Sequence, residues 1–353
     1  MVQSPERCRA GSRALPLREA ARRLGTRWDD RARRAAARLP LRFPEEYLEL
    51  ADPADPDDPI RAIAWPADEE LAPDPGAIED PVGERHRGPH PLAIQKHPDR
   101  AILIATKRCH FYCRFCFRAG SHAEPGWDDI EAAVEALERD SRLREVILSG
   151  GDPLTLPDER LARLLARLSS VPSLETVRIH TRAPVHAPAR ITPGLVEALG
   201  AASPLPVRIV LQATHPRELR PAFDAAVGRL AGAGVPLLDQ TVLLRGVNDD
   251  VDTLHALFTG LYRRRVTPYY LHHPDRIAGT ARFRVRIERG RRIYRELRPL
   301  LPGPATPRYV VDLPDGKGKV PVPELEPAGA GRWRFEHPDG SVSVYEDAPP
   351  RDR

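Results

Sequence analysis

From residue 101 onward, short apolar runs alternate with longer segments of helical period. Ala101–Thr106, Glu145–Ser149, Thr176–Thr181, Val207–Ala213, Pro236–Leu244 and Pro268–Leu271 read as strands, the first as a continuous apolar run suited to a buried parallel sheet. Between them, Ile130, Ala133, Val134 and Leu137 fall at i, i+3, i+4 and i+7, and Leu161, Leu164, Leu165 and Leu168 repeat that spacing. Further helices are predicted near Thr192–Ala201, Ala222–Ala233 and Arg284–Leu297, and one capped by Asp249 or Asp250 runs to about Tyr262. Six strand–helix units in succession predict an α/β protein with a parallel sheet and right-handed crossovers. A barrel-like closure puts function at the C-terminal ends of the strands. The polar clusters fall there: Cys109–Cys116, Gly150-Gly151-Asp152, Thr181-Arg182 and Asp275.

The flanks differ from this core. Residues 1–50 read as helical, with Leu15, Leu17, Ala20, Ala21 and Leu24 near helical spacing. Residues 51–99 are rich in Pro and Asp, which excludes long helices and central strands and predicts an ordered wrap or a linker. After residue 300, Val310–Leu313 reads as a strand followed by a Gly-Lys loop. Trp333–Glu336 and Ser341–Tyr345 alternate around Pro338-Asp339-Gly340 as a terminal hairpin. Three units are expected: an N-terminal extension (1–99), a (β/α)6 core (100–300) and a C-terminal segment (301–353).

Composition narrows the class. The chain has 353 residues, long enough for a large core, and carries no run of about 18 apolar residues, so no membrane span is expected. No apolar leader segment opens it, and a cytoplasmic location is expected. A net charge of +4 with acids interspersed does not point to nucleic acid. Only four of the 54 basic residues are lysines: Lys96, Lys107, Lys317 and Lys319. Codon bias accounts for the arginines but not for these exceptions, and a retained lysine can mark a place where an amine must lose its proton.

Three of the four cysteines form Cys109-x3-Cys113-x2-Cys116. A four-iron cluster usually takes four cysteines, so three leave one iron open. Phe111, Tyr112, Phe115 and Phe117 would shield such a cluster from water. A zinc site completed by Cys8 or a histidine is the alternative, although zinc motifs normally pair two short clusters and no second one exists. Cys8 reads as a bystander. His272-His273 lie on a strand and face opposite sides, so they are poor joint metal ligands.

The cysteine triplet and Ser149-Gly150-Gly151-Asp152-Pro153 resemble the radical S-adenosylmethionine (SAM) superfamily. The resemblance narrows with Asp55-Pro56-Asp57-Asp58-Pro59-Ile60, His97-Pro98-Asp99-Arg100, Arg114, Arg118, Arg178-Ile179-His180, Val242–Asp249, Pro268-Tyr269-Tyr270-Leu271 and Asp312–Val322. Together, from about residue 40 to the end, these are similar to the lysine 2,3-aminomutase family, especially the short branch that makes β-lysine for elongation factor P. The resemblance implies a partial (β/α)6 radical SAM barrel, a [4Fe-4S] cluster on Cys109, Cys113 and Cys116, SAM, and pyridoxal 5′-phosphate (PLP) on Lys319. It implies cofactor contacts for Arg100, Lys96, Gly150, Gly151, Asp152, Thr181 and Gln240. Arg118 would take the substrate carboxylate, and Asp275 with Asp312 the side-chain ammonium of lysine. Read alone, Lys319 is a lysine on an exposed turn, Arg100 the partner of Asp99, and each Asp a cap or turn residue. A phosphate-binding P-loop does not fit, because Val320 follows Lys319.

Three departures accompany the resemblance. Gln212 stands where close relatives tend to carry histidine, Asp239 where they carry asparagine, and the arginine-rich run after the third cysteine is cut to Arg118-Ala119-Gly120. The expected activity is 1,2-amino migration on a small amino acid, L-lysine first and L-arginine or another amino acid second. Two rivals come from other classes: a PLP-independent radical SAM enzyme acting on a macromolecule, and a non-enzymatic zinc or iron–sulfur binding protein. The expected partners are a reductant such as flavodoxin or ferredoxin and, through the N-terminal segments, a second copy in a homo-oligomer.

Overall fold

The computed structural model describes residues 13–85, 87–118 and 124–347; Cys8 and Ala119-Gly120 lie outside them. One nine-stranded sheet runs in chain order: β1 (Ala93–His97), β2 (Arg100–Thr106), β3 (Glu145–Gly150), β4 (Thr176–Thr181), β5 (Val207–Leu211), β6 (Leu237–Val242), β7 (Val266–His272), β8 (Arg308–Leu313) and β9 (Gly318–Pro321). Strands β2 to β8 pair parallel; β1 and β9 add antiparallel at the two edges. A second sheet holds β10 (Glu326–Pro327), β11 (Arg332–Glu336) and β12 (Val342–Glu346).

The six expected parallel strands are present at nearly the expected bounds, and β8 extends the run. Between β3 and β4 the helix Asp158–Ser169 buries Leu161, Leu164, Leu165 and Leu168. Between β2 and β3 the helix Trp127–Glu138 buries Ile130, Ala133, Val134 and Leu137. Each such side chain contributes about 1.5–3 kcal/mol when fully buried. Asp250, rather than Asp249, caps the helix Val251–Arg263 by accepting from Thr253 N–H.

Two details depart from the sequence reading. Ala93–His97 falls in the proline-rich stretch and was expected to be irregular. It forms β1, because an edge strand needs partners on one side only and tolerates neighbouring prolines. Lys319 was expected on a loop and lies one residue into β9. The turn is confined to Pro314–Lys317, and Asp312 and Lys319 are direct cross-strand partners.

Residues 13–85 wrap the barrel with short helices, Leu17–Arg23, Asp30–Ala36, Glu45–Leu48 and Pro59–Ala64. Their anchor is Glu70, whose buried carboxylate accepts from Arg114 Nε (3.0 Å) and Nη2 (2.5 Å), Arg282 Nη2 (3.1 Å) and Arg38 Nε (3.4 Å). Arg114 is itself fully buried and also donates to Ala35 O at 2.9 Å. Removing one partner of a buried ion pair leaves an uncompensated charge. Glu70→Ala is therefore expected to lower the unfolding free energy by about 3–5 kcal/mol, read from a denaturant midpoint, with Glu70→Gln losing less. A loss below about 1 kcal/mol would mean that water reaches this cluster.

Candidate active site

Side chains at alternate strand positions point inward. Here they line one cavity of about 790 Å³ that runs from the cysteine loop to the β8–β9 hairpin. Its wall includes Lys96 of β1, Arg100 of β2, Ser149 of β3, Arg178 and His180 of β4, Arg208 of β5, Gln240 of β6, and Tyr270 and His272 of β7. Gln240 Nε2 lies 3.2 Å from His180 Nδ1. His272 and His273 diverge as strand geometry requires: His272 faces the cavity 3.7 Å from Asp312, while His273 contacts Tyr309 Oη at 2.8 Å.

At one end, the loop after β2 presents Cys109, Cys113 and Cys116 to this cavity. Burial pushes all three thiols up, Cys113 to about 11. That cost falls on thiolates without a cation and is reversed when a metal centre ligates them. Arg182 Nη1 donates to Cys113 Sγ at 2.7 Å, and its Nη2 reaches Thr214 Oγ1 (2.8 Å) and buried Glu218 (3.0 Å). Tyr47 closes the network by donating to Glu218 at 2.7 Å. Among the described residues, no three His, Cys, Asp or Glu side chains are grouped so as to hold a single metal ion. Separate thiolates spaced along one loop suit a multi-iron cluster instead.

The glycine motif is shaped by the same loop. Gly150 has φ +114°, and a Cβ there would lie 2.4 Å from Thr106 O; one on Gly151 would lie 2.1 Å from Arg108 O. Only glycines let the end of β3 pack on the strand that leads into the cysteines. Asp152 accepts from Leu154 N–H (3.0 Å), Thr181 Oγ1 (2.7 Å) and Arg182 N–H (2.9 Å). Both of its oxygens and the Thr181 hydroxyl are thus spent on holding the ends of β3 and β4 together. Gly150, Gly151 and Asp152 line the cavity with Thr181.

At the other end, Lys319 Nζ donates to Asp312 at 3.1 Å. Lys319 and the nearby His272 hold the Asp312 carboxyl well below the usual carboxylate range against the opposing effect of burial. Asp275 faces the same space; burial and the Asp312 charge push its carboxyl up to about 7. Arg118 lines the wall and is held by Glu84 (3.1 and 2.6 Å) and Ser149 (2.9 Å). Lys96 donates to Val82 O at 2.7 Å, and burial lowers its affinity for a proton. Arg100 pairs with Asp99 at 3.1 Å, half-exposed, while also reaching the cavity wall. Lys317 lines the mouth and donates to Ser341 at 2.7 Å.

The structure thus brings every expected site residue to one cavity. The reading of the sequence had missed Glu84, Arg208 and Tyr270 as wall residues. For Arg208 a signal existed, a polar side chain at an inward position of an otherwise apolar strand; for Glu84 there was none.

Residues 103–257 match the model of the radical SAM superfamily. A putative L-lysine 2,3-aminomutase of Aquifex aeolicus is 38% identical over 322 residues, covering 89% of this chain and 86% of that protein. The L-lysine 2,3-aminomutase of Clostridium subterminale is 40% identical, covering 78% and 67%. That of Escherichia coli is 36% identical, covering 82% and 86%. The chain belongs to the lysine 2,3-aminomutase family of radical SAM enzymes. It is an isomerase of that family, and membership implies a four-iron cluster, SAM and PLP. The residues fit all three: a trio of thiols, one buried and two partly buried, a glycine-lined strand end beside it, and a cavity-facing amine with cationic side chains on the surrounding wall. Among the described residues, no helix is long and apolar enough to cross a membrane.

Iron and sulfide analysis after anaerobic reconstitution tests the thiol set. Cys109→Ala, Cys113→Ala and Cys116→Ala are each expected to lose most of the bound iron, and Cys8→Ala to keep it. Full iron in any of the first three removes that cysteine from the ligands.

Proposed function

We propose that this chain converts L-lysine to β-lysine by 2,3-amino migration. The observation that carries this reading is the charge layout of the cavity: two carboxylates, Asp275 and Asp312, facing the same space, with an arginine, Arg118, elsewhere on the same wall. An amino acid with a cationic side chain satisfies both ends. A glutamate 2,3-aminomutase of Clostridioides difficile is also 34% identical, covering 86% of this chain. A substrate with an acidic side chain would, however, meet two carboxylates here, and like charges in a closed site reject a ligand strongly.

Cys109, Cys113 and Cys116 are assigned to the cluster, and Gly150, Gly151 and Gln240 to the walls around SAM. Lys319 is assigned to PLP, with Arg100 and Lys96 toward its phosphate. When bound, these groups supply the one-electron chemistry and the electron sink. The chain's own share is positioning and exclusion of water. Arg118 orients the substrate carboxylate, and Asp275 with Asp312 fixes the side-chain ammonium. The barrel wall holds the β-carbon near the cysteine end. An external reductant such as flavodoxin or ferredoxin is required.

Two measurements test this. Reconstituted protein with SAM, PLP and dithionite, offered L-lysine and L-arginine together under anaerobic conditions, is expected to yield β-lysine. β-Arginine instead would keep the reaction and replace the substrate. Deoxyadenosine with neither product would overturn the aminomutase reading.

The second is a pH profile. Asp275 must be ionised to hold an ammonium, so L-lysine affinity is expected to rise as pH climbs through about 7 and then level off. Asp275→Asn should flatten that rise and weaken binding about tenfold or more. Stability of the free protein runs the other way: a carboxyl pushed up on folding favours the native state at low pH, and this contribution is lost as pH rises from about 4 through 7. A lysine affinity that does not change with pH would remove Asp275 from the ammonium site.

A further inference from the structure

Three of the five N–H donors of Arg118, including its whole side-on edge, are engaged among the described residues. Glu84 takes its Nε and Nη2 in a side-on fork at 3.1 and 2.6 Å, and Ser149 Oγ takes Nη1 at 2.9 Å. The pair is shielded, with 21% of the arginine side chain and 14% of the glutamate side chain exposed. Glu84 is also fixed from behind. Its N–H donates to Asp80 Oδ1 at 2.9 Å, and the N–H of Arg85 donates to Asp80 Oδ2 at 2.7 Å. The preceding Gly83 has φ +63°, and a Cβ there would lie 2.5 Å from Gly316 Cα in the β8–β9 turn. The carboxylate is therefore held at the seam between the two edge strands, against the group assigned to the substrate carboxylate.

We propose that Glu84 is an internal competitor for the substrate α-carboxylate, occupying the Arg118 fork in the free enzyme and leaving it when an amino acid binds. The inference rests on the assignment of Arg118 made above. A guanidinium offers one side-on fork of this kind along Nε and Nη2, so a second carboxylate cannot take it while Glu84 remains. Two carboxylates on one cation in a shielded pocket would also repel each other. A ligand that brings its own carboxylate replaces the lost ion pair, whereas an amine or amide leaves Arg118 and Glu84 paired. Lys96 and Lys107 both feel the Glu84 charge and offer it a cationic neighbourhood once displaced. Glu84 thus sets the affinity for the α-carboxylate: a free amino acid must displace it from Arg118, whereas a decarboxylated or amidated counterpart need not.

The test is a binding titration of the cluster- and PLP-loaded enzyme without reductant, followed through the coenzyme absorbance, with L-lysine and L-lysine amide as ligands. In Glu84→Gln the fork is no longer contested by a charge, and the L-lysine half-saturation concentration is expected to fall about tenfold. That of L-lysine amide is expected to stay within about twofold. Glu84→Asp, which keeps the charge but withdraws it from the fork, should move L-lysine the same way by a smaller factor and covers the case in which the first variant does not fold. Weaker or unchanged L-lysine binding in the folded variant would mean that Glu84 stays in place and orients Arg118, which overturns the proposal. An equal gain for the amide overturns it too. Absence of any absorbance response in the unmodified enzyme would instead overturn the aminomutase reading itself.

Discussion

The structure depends on a buried carboxylate that gathers three arginines. Glu70 accepts from Arg38, Arg114 and Arg282, and Arg114 stands between the second and third cysteines of the cysteine loop. Through this one group the N-terminal wrap, the cysteine loop and the segment after β7 are tied together. Arg114 N–H also donates to Ile63 O, and Arg38 to Arg114 O. Burying such a cluster is expensive, and buried ion pairs contribute less to stability than apolar packing of the same volume. What it supplies here is a fixed position for a short loop that has little regular structure of its own. The excess of positive charge also lies beside three thiols that must ionise to bind iron. Arg38 is electrostatically coupled to Cys116, and Arg182 donates to Cys113.

This explains what was legible in the sequence and what was not. The β2–β8 strands and their helices follow from local pattern, because Leu161 to Leu168 or Ile130 to Leu137 declare a buried face within three turns. The cysteine triplet is legible for the same reason: its chemistry lies within eight residues. Glu70 and Glu84 are not, since each finds its partner tens of residues away and sits in a stretch whose prolines announce only the lack of long elements. The edge strand β1 was hidden likewise, because pairing on one side imposes a weak pattern. Lys319 was recognised by resemblance, but its place on β9 depends on cross-strand pairing that glycines at 316 and 318 obscure.

The scarcity of lysine acquires a meaning in the folded chain. Lys96, Lys317 and Lys319 line the cavity, and Lys107 is electrostatically coupled to Arg118 and Glu84. Three of the four lysines of an arginine-rich protein therefore line one site, and the fourth feels the charge of two of its residues. Arginines meanwhile hold the scaffold, where a fork that never deprotonates suits a buried carboxylate.

The two charged groups assigned to the substrate follow a common design. Arg118 is satisfied by Glu84, and Asp312 by Lys319, so the groups assigned to the substrate's carboxylate and ammonium each have an internal counter-ion. Unpaired charges in so shielded a space would be costly, and internal partners remove that cost. The second pair is built by register. Asp312 and Lys319 are direct partners across β8 and β9, and directly opposed side chains of an antiparallel pair share a face. A slip of one residue would turn Lys319 away from the cavity. The amine assigned to PLP and the acid assigned to the substrate are thus set by the same hairpin. Engaging Lys319 elsewhere leaves Asp312 in need of a cation, which the side chain of L-lysine carries.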